Sequence, residues 1–208
     1  MRLFWCLLFA ALAFAVFSPD IIKATPSPEK RKDKRSNEPA APIVKLPLNA
    51  ALILTPDFCA TKWTTGNGWT SAKDSYAVGQ AACEYLEPTL KDAFSTVTTL
   101  QAPRPEAEVA VVLQPKIVNA DATKGGKREM VVLLEWTATD AAGKTVWVQT
   151  VQGTASHKRG GAFSYKKNFK LLLADAVKDA AEESAREISL APELKALAGD
   201  HAAAEVSK

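Results

Sequence analysis

The chain has 208 residues, of which 47% are apolar, enough for one domain with a hydrophobic core and additional terminal segments. Its formal net charge of +3 and its isoelectric point near 8.7 are only mildly basic. A dedicated nucleic-acid-binding domain carries a stronger cationic excess, so the composition argues against nucleic acid as the partner.

The first 24 residues have the pattern of an export signal. Arg2 lies beside the amino terminus, an unbroken apolar run covers residues 3–17, and Ala24 ends a cleavage site. Cys6 lies inside the apolar run, where it does not form a lipid-attachment site, and the run is short for a membrane span. We predict a signal peptide over residues 1–24 and a periplasmic or secreted chain, with an uncleaved inner-membrane anchor as the alternative.

The segments that flank the domain differ from it in composition. Residues 25–44 are rich in proline and charge, so they cannot bury enough surface to offset the entropy of ordering. We predict a disordered linker there, although the cationic run at residues 30–35 is unusual directly after an export signal. Residues 193–208 are predicted to be a tail, so that one folded domain covers residues 45–192.

The first half of this domain begins with a strand over residues 45–56. Apolar side chains alternate along it, and Ala51 and Ile53 indicate burial on both faces in its second half. A helix over about residues 74–94 follows, with apolar side chains at three- and four-residue spacing. Residues 95–100 then form a short strand, which should run parallel to the first because the helix makes a crossover between them.

The second half contains three strands and a helix. The strands cover residues 106–118, 128–140 and 145–157, and the last two form a hairpin. The final helix begins between residues 163 and 168 and ends at Pro192. The order β-α-β-β-β-β-α predicts an α+β fold, a two-layer sandwich in which two helices cover one face of a mixed sheet of four or five strands.

The direction of the strand at residues 106–118 decides where the loops lie. It runs parallel to the first strand if the chain crosses back over the sheet, and antiparallel if a hairpin turn precedes it. In the parallel case, the loop after the first strand, the turn at residues 119–128 and the segment at residues 156–167 meet at one end of the sheet. We call this end the loop end.

The loop end carries two tryptophans and a group of cations. Clustered cations attract polyanions and membrane headgroups, and exposed aromatic side chains dominate protein interfaces. The alternative is that the cations are solvated loop charges and that the tryptophans pack over the core. The candidate binding residues are Trp63, Trp69, Lys124, Lys127, Arg128, Lys158 and Arg159.

Two cysteines, Cys59 and Cys83, remain once the signal is removed. An even pair in an exported protein favours a disulfide, with two separate buried thiols as the alternative. Such a disulfide would fasten the exit of the first strand to the first helix.

No motif in the sequence indicates a reaction. The only histidines are His157 and His201, too few for a metal site when the cysteines are paired. His157 has no acid nearby in sequence that would orient it in a catalytic triad. We therefore predict no catalytic residue, no metal and no cofactor.

The spacing of Gly79, Leu86, Leu90, Phe94 and Val97, followed by the segments AEVAVVLQPKIV and VVLLEWTATDAAGKTVW, resembles a group of small bacterial envelope proteins. This group includes the lipopolysaccharide-assembly lipoprotein and the amino-terminal domain of the Tol-system β-propeller protein. The resemblance covers residues 45–190 at the level of topology. It implies a parallel strand at residues 106–118 and a role in envelope binding or assembly, without catalytic residues.

These observations predict a non-enzymatic, exported envelope accessory or assembly protein. Its loop end would bind an envelope protein or an anionic envelope polymer, near a membrane, and its oligomeric state stays open. Two alternatives remain at this point. One is an interaction domain tethered to the inner membrane by an uncleaved signal, and the other is an enzyme acting on an anionic glycan or lipid.

Overall fold

The computed structural model describes residues 41–66, 73–102, 109–123, 128–157 and 165–206. These residues form seven strands and four helices. In chain order, the elements are β1 (Leu46–Ile53), α1 (Pro56–Ala60), β2 (Trp63–Gly66), β3 (Lys73–Tyr76), α2 (Val78–Leu90), β4 (Phe94–Leu100), β5 (Val111–Thr123), β6 (Arg128–Asp140), β7 (Thr145–His157), α3 (Tyr165–Leu190) and α4 (Pro192–Val206).

Five of the strands form one mixed sheet in the order β4-β1-β5-β6-β7, and β2 and β3 form a separate hairpin. Both β4 and β5 run parallel to β1, whereas β5, β6 and β7 are antiparallel to one another. The helices pack on this sheet. The predicted α+β class and mixed sheet are therefore confirmed, and the strand whose direction was open is parallel to β1.

Strand β1 lies between β4 and β5 and is buried on both faces in its second half. Leu48 and Leu52 point into the core beneath the helices and are almost fully buried. Ala51 and Ile53, which alternate with them, are only 0% and 2% exposed. The predicted two-sided burial of this strand is confirmed.

The helix α2 buries the face that its apolar spacing predicts. Val78, Ala82, Leu86 and Leu90 recur every four residues and are fully buried. The helix is shorter than the predicted range of 74–94, because the chain before it pairs in the β2–β3 hairpin and the chain after it enters β4.

The longest helix, α3, is joined to the sheet by a buried hydrogen bond. The indole Nε1 of Trp136 on β6 donates to Ser184 Oγ at 2.8 Å, and Ser184 in turn donates to the carbonyl of Ala180 at 2.6 Å. Both polar groups are therefore satisfied inside the core, as buried groups must be. Trp136 is fully buried, and Trp147 is half-buried against the same core.

The backbone of α3 lies directly on β7. A Cβ atom at Gly153 would be 2.2 Å from the carbonyl oxygen of Ala176 and 2.3 Å from the backbone nitrogen of Ala180. One residue further along, the backbone N–H of Thr154 donates to Asp179 Oδ2 at 2.7 Å. Only glycine permits this close approach of helix and strand.

These contacts give the direction of α3. Gly153 lies beside Ala176 and Ala180, whereas Trp136, which is opposite Gln149 of β7, lies beside Ser184. Higher numbers on the helix therefore meet lower numbers on β7, and α3 runs antiparallel to that strand. Because Trp136 is on β6, the helix also crosses from β7 towards β6 as it proceeds.

The predicted hairpin of β6 and β7 turns between Asp140 and Gly143. Asp140 Oδ1 accepts hydrogen bonds from the backbone nitrogens of Ala142 and Lys144, both at 2.9 Å. Gly143 adopts a φ of 79°, a conformation that favours glycine. This turn is at the end of the sheet opposite the loop end.

Residues of the predicted tail form α4, in which Leu194 and Ala198 are buried against the core. The described chain begins beside the second half of α3, where the carbonyl of Ala41 accepts from Arg186 Nε at 3.0 Å and the N–H of Val44 donates to Ser189 Oγ at 3.2 Å. Among the described residues, no helix is both long and apolar enough to cross a membrane.

Candidate functional site

The path from β1 to the β2–β3 hairpin begins with the short helix α1. Thr55 caps it, because its Oγ1 accepts a hydrogen bond from the backbone N–H of Phe58 at 3.1 Å. Pro56 occupies the first turn, where its missing N–H costs nothing. The helix therefore starts immediately after the strand and turns the chain towards α2.

A disulfide joins α1 to α2. The sulfur atoms of Cys59 and Cys83 are bonded, with a Cα–Cα distance of 5.8 Å. Both side chains are half-buried and pack against the core. The predicted pairing is present, and it holds the start of the hairpin segment against the first helix of the domain.

Removing this disulfide is expected to lower the free energy of unfolding by about 3 kcal/mol, since the bond closes a loop in the unfolded chain. The change is Cys59→Ser with Cys83→Ser, a pair separated by 24 residues. Urea unfolding followed by circular dichroism measures it. Adding a reductant should destabilise the native chain similarly and leave the double variant unchanged; equal stability of the oxidised chain and the double variant would contradict the expectation.

The β2–β3 hairpin places Trp63 opposite Tyr76. Trp63 is half-buried and packs against the core, so part of its indole remains at the surface. The ring of Tyr76 stacks on Phe169 in α3, with ring centroids 4.2 Å apart and an interplanar angle of 25°. This stacking fastens the hairpin to the first turns of α3.

The stacking also shows at which end of the sheet the hairpin lies. Phe169 precedes Ala176 by about 10 Å of helix, and Gly153 precedes His157 by about 13 Å of strand. Because Gly153 lies beside Ala176, Phe169 lies near the level of the last residues of β7. The hairpin therefore lies beside the end at which β7 finishes.

The long hairpin of β5 and β6 reaches this end well past β1. The last pair between β1 and β5 is Leu52 with Leu113, and β5 continues to Thr123, about 33 Å further along. Of the predicted cations, Arg128 lies on β6 opposite His157 on β7. Trp69, Lys124, Lys127, Lys158 and Arg159 lie outside the described residues.

An open cleft of about 420 Å³ lies between the hairpin, α2 and α3. Its walls combine apolar and charged side chains, with one cation from the connection between α1 and β2 and one from α3. Sequence reasoning missed this cleft, because its residues come from segments that are distant in the chain and share no motif. The lining residues are Lys62, Ser75, Tyr76, Ala77, Gln80, Ala81, Glu84, Lys170, Leu173 and Ala174.

Among the described residues, no group of three or more histidine, cysteine, aspartate or glutamate side chains is placed to hold a metal ion. On α2, hydrogen bonds from Lys91 and then from Thr99 hold the pKa of Glu87 below its usual range. Glu87 thereby ties α2 to β4, the edge strand beside β1.

The amino-acid sequence matches no protein-family model and no curated protein. By structure, the chain is similar to a protein from Xanthomonas campestris, with 11% identity and a TM-score of 0.47, over 79% of this chain and 92% of that one. It is also similar to a minor lipoprotein from Acinetobacter baumannii, with 15% identity and a TM-score of 0.37, over 71% and 93%. A further similar structure is the PelC dodecamer from Paraburkholderia phytofirmans, with 16% identity and a TM-score of 0.39, over 69% and 93%.

Proposed function

We propose that this chain is an exported, non-catalytic accessory protein of the cell envelope that binds a partner protein or an anionic envelope polymer through its loop end. The export-signal pattern of residues 1–24 supports delivery out of the cytoplasm. The disulfide between Cys59 and Cys83 supports the same location, because such bonds persist in oxidising compartments.

The observation that carries the proposal is the attachment of the aromatic hairpin at the loop end. The disulfide holds α1, which precedes the first strand of the hairpin, against α2, and the stacking of Tyr76 on Phe169 holds the second strand on α3. The partly exposed indole of Trp63 is thus presented on a braced support. Bracing lowers the entropy lost on binding, which raises affinity for a given contact surface.

Cationic side chains also support the loop end as the binding surface. Arg128 lies in β6 next to the end of β7, and Lys166 and Lys167 belong to the first turn of α3. Each cation near an anionic surface contributes about 1 kcal/mol. The lysines Lys62 and Lys170 of the adjacent cleft would extend this cationic surface past the hairpin.

The first described residues lie away from the loop end. The described chain begins at Ala41, which contacts Arg186 in the second half of α3, away from Phe169. We propose the same binding surface for a chain whose signal is removed and for one that keeps it as an anchor. Amino-terminal sequencing of the exported chain separates the two cases, since cleavage predicts a start near Thr25.

Site-specific photocrosslinking in the native envelope tests the proposal. A benzoyl-phenylalanine residue is placed at position 69 or 158, which the sequence predicts at the loop end, and at position 45 or 92 of the opposite end as the matched control. We expect crosslinked products from the loop-end positions and none from the control positions. Equal crosslinking from both ends, or products from the opposite end alone, would reject the loop end as the binding surface.

A charge-reversal experiment tests the proposed binding surface quantitatively. The variant Lys158→Glu with Arg159→Glu and the control Lys45→Glu with Lys144→Glu each change the net charge of +3 by −4, to −1. The loop-end variant should lose crosslinking by at least about tenfold, because about 1 kcal/mol is lost per cation. The control should retain it, and an equal loss in both would assign the attraction to net charge alone.

A further inference from the structure

The strand β7 forms one edge of the five-stranded sheet and is 13 residues long. Residues 145–156 contain no aspartate, glutamate, lysine, arginine or proline. Protein sheets ordinarily protect a long edge with charged side chains, with proline or by covering it, because its free backbone groups can pair with another strand. An uncharged edge of this length is therefore a candidate surface for strand pairing.

The backbone groups that β7 directs outwards can be identified from one hydrogen bond. The N–H of Thr154 donates to Asp179 on α3, so it points away from β6. Pairing with β6 is regular from Trp147 to His157, and outward groups alternate along such a strand. Val148, Thr150 and Gln152 therefore direct both N–H and C=O outwards, and no partner for these groups exists among the described residues.

The same stretch is open on both faces of the strand. Val148 is 55% exposed, and Thr150 and Gln152 are also exposed on the face away from the helices. On the helix side Gln149 is exposed too, because α3 has crossed from β7 to β6 at this level. An incoming strand would thus meet no helix at Thr150.

We propose that β7 pairs antiparallel with β7 of a second copy of this chain, about a two-fold axis at Thr150, and so joins two sheets into one. In this register Thr150 lies opposite Thr150, and Val148 lies opposite Gln152. Each of these residues then exchanges a pair of backbone hydrogen bonds with the other copy. Asp179 already accepts the hydrogen bond from the N–H of Thr154, so the part of the edge that can pair ends before Thr154.

A second copy fits this edge because the edge is electrically neutral and self-complementary. A two-fold axis places each side chain opposite a neutral partner, so no like charges meet, and Thr–Thr pairs are favourable across strands. The pairing closes after two copies, as isologous interfaces do. At the level of Thr150 the two α3 helices lie over β6, so about three strand spacings, or ~14 Å, separate them there.

Sedimentation analysis over a range of concentrations tests the pairing. We expect a weak, concentration-dependent dimer, since a strand edge alone buries little surface. Thr150→Lys, which opposes two like charges at the axis, should weaken dimerisation at least about tenfold. The matched control is Gln114→Lys, which adds the same charge to the same open face but lies on β5, inside the sheet. A native chain that stays monomeric at all concentrations, or equal effects of both lysines, would reject the proposal.

A cysteine crosslink tests the register. Opposed hydrogen-bonded residues of antiparallel strands have Cα atoms about 5.5 Å apart, within the range of a disulfide. Thr150→Cys should therefore form a covalent dimer on oxidation, whereas Gln114→Cys and the native chain should not. A dimer that Thr150→Cys fails to crosslink, or equal crosslinking of Gln114→Cys, would overturn the two-fold axis at Thr150. If β7 paired only with a different protein, the proposal that a second copy of this chain is the partner would be wrong.

Discussion

Replacing Gly153 with alanine is expected to destabilise the chain by about 4 kcal/mol. The added Cβ would lie 2.2 Å from the carbonyl oxygen of Ala176 and 2.3 Å from the nitrogen of Ala180. Overpacking a well-packed site typically costs 1–3 kcal/mol, and this cost is larger because both neighbours are backbone atoms that cannot rotate away. In a chain of this size the melting temperature should fall by about 12 °C. Thermal and urea unfolding followed by circular dichroism measure both quantities.

The chain offers a matched control for this substitution at Gly199. A Cβ there meets no atom within 4 Å, and the residue lies within α4. Gly199→Ala should therefore leave stability unchanged or raise it by about 0.5–1 kcal/mol, because alanine favours a helix over glycine. If Gly153→Ala were as stable as Gly199→Ala, the direct contact of α3 with β7 would be refuted.

The strands β6 and β7 could be predicted to the residue. Their apolar side chains alternate with polar ones, and Asp140 and Gly143 are residues that a tight turn requires. Local signals of both kinds agree here, so sequence alone determined the hairpin. The buried stripes of α2 and α3 were predictable for the same reason.

The start of α2 shows where local signals misled. The helix was predicted to begin near residue 74, where aspartate is a frequent helix cap, yet Asp74 pairs with Thr65 in the β2–β3 hairpin and α2 begins at Val78. A capping residue is also a good turn residue, so the pattern alone could not separate the two. The strand β5 likewise continues past its predicted end at residue 118 to Thr123, because pairing with β6 overrides the turn-like composition of that segment.

The candidate site depends on contacts that no local pattern encodes. Tyr76 precedes the strands β5, β6 and β7 in the chain and Phe169 follows them, so only folding brings their rings together. The outward direction of the backbone N–H and C=O groups of Thr150 likewise follows from the hydrogen bond of Thr154 to Asp179, which the sequence does not show. Composition identified the cysteines, which the structure joins as a disulfide. Of the predicted cations, the structure describes only the position of Arg128 on β6.

The two proposed surfaces can be occupied at the same time. The edge around Thr150 lies in the middle of β7, whereas β7 reaches the loop end only at His157. An antiparallel pair would direct the two loop ends away from each other, so each copy would bind its own partner. Loss of dimerisation through Thr150→Lys should consequently leave the photocrosslinks of the loop end intact, which keeps the tests independent.

Gly79→Ala should also destabilise the chain by about 4 kcal/mol, and here the cost should depend on the disulfide. A Cβ at Gly79 would lie 2.0 Å from the carbonyl oxygen of Phe58 and 2.9 Å from that of Cys59, so α1 would have to move away from α2. The bond from Cys59 to Cys83, one turn further along α2, prevents that movement. Without the disulfide α1 can retreat, so the same substitution should cost at least about 1 kcal/mol less.

A double-mutant cycle measures this coupling. The cost of Gly79→Ala is measured by urea unfolding in the native chain and in the Cys59→Ser, Cys83→Ser background. Free thiols are counted in the Gly79→Ala variant of the native chain, to check that its disulfide is formed. Gln80→Ala, an exposed neighbour on the same helix, is the control and should change stability by less than about 0.5 kcal/mol. Equal costs of Gly79→Ala in both backgrounds would mean that the disulfide does not hold α1 against α2. Backbone contacts would then hold it, such as the hydrogen bond from the N–H of Gly79 to the carbonyl of Thr61. A small cost in the native chain would refute the close contact itself.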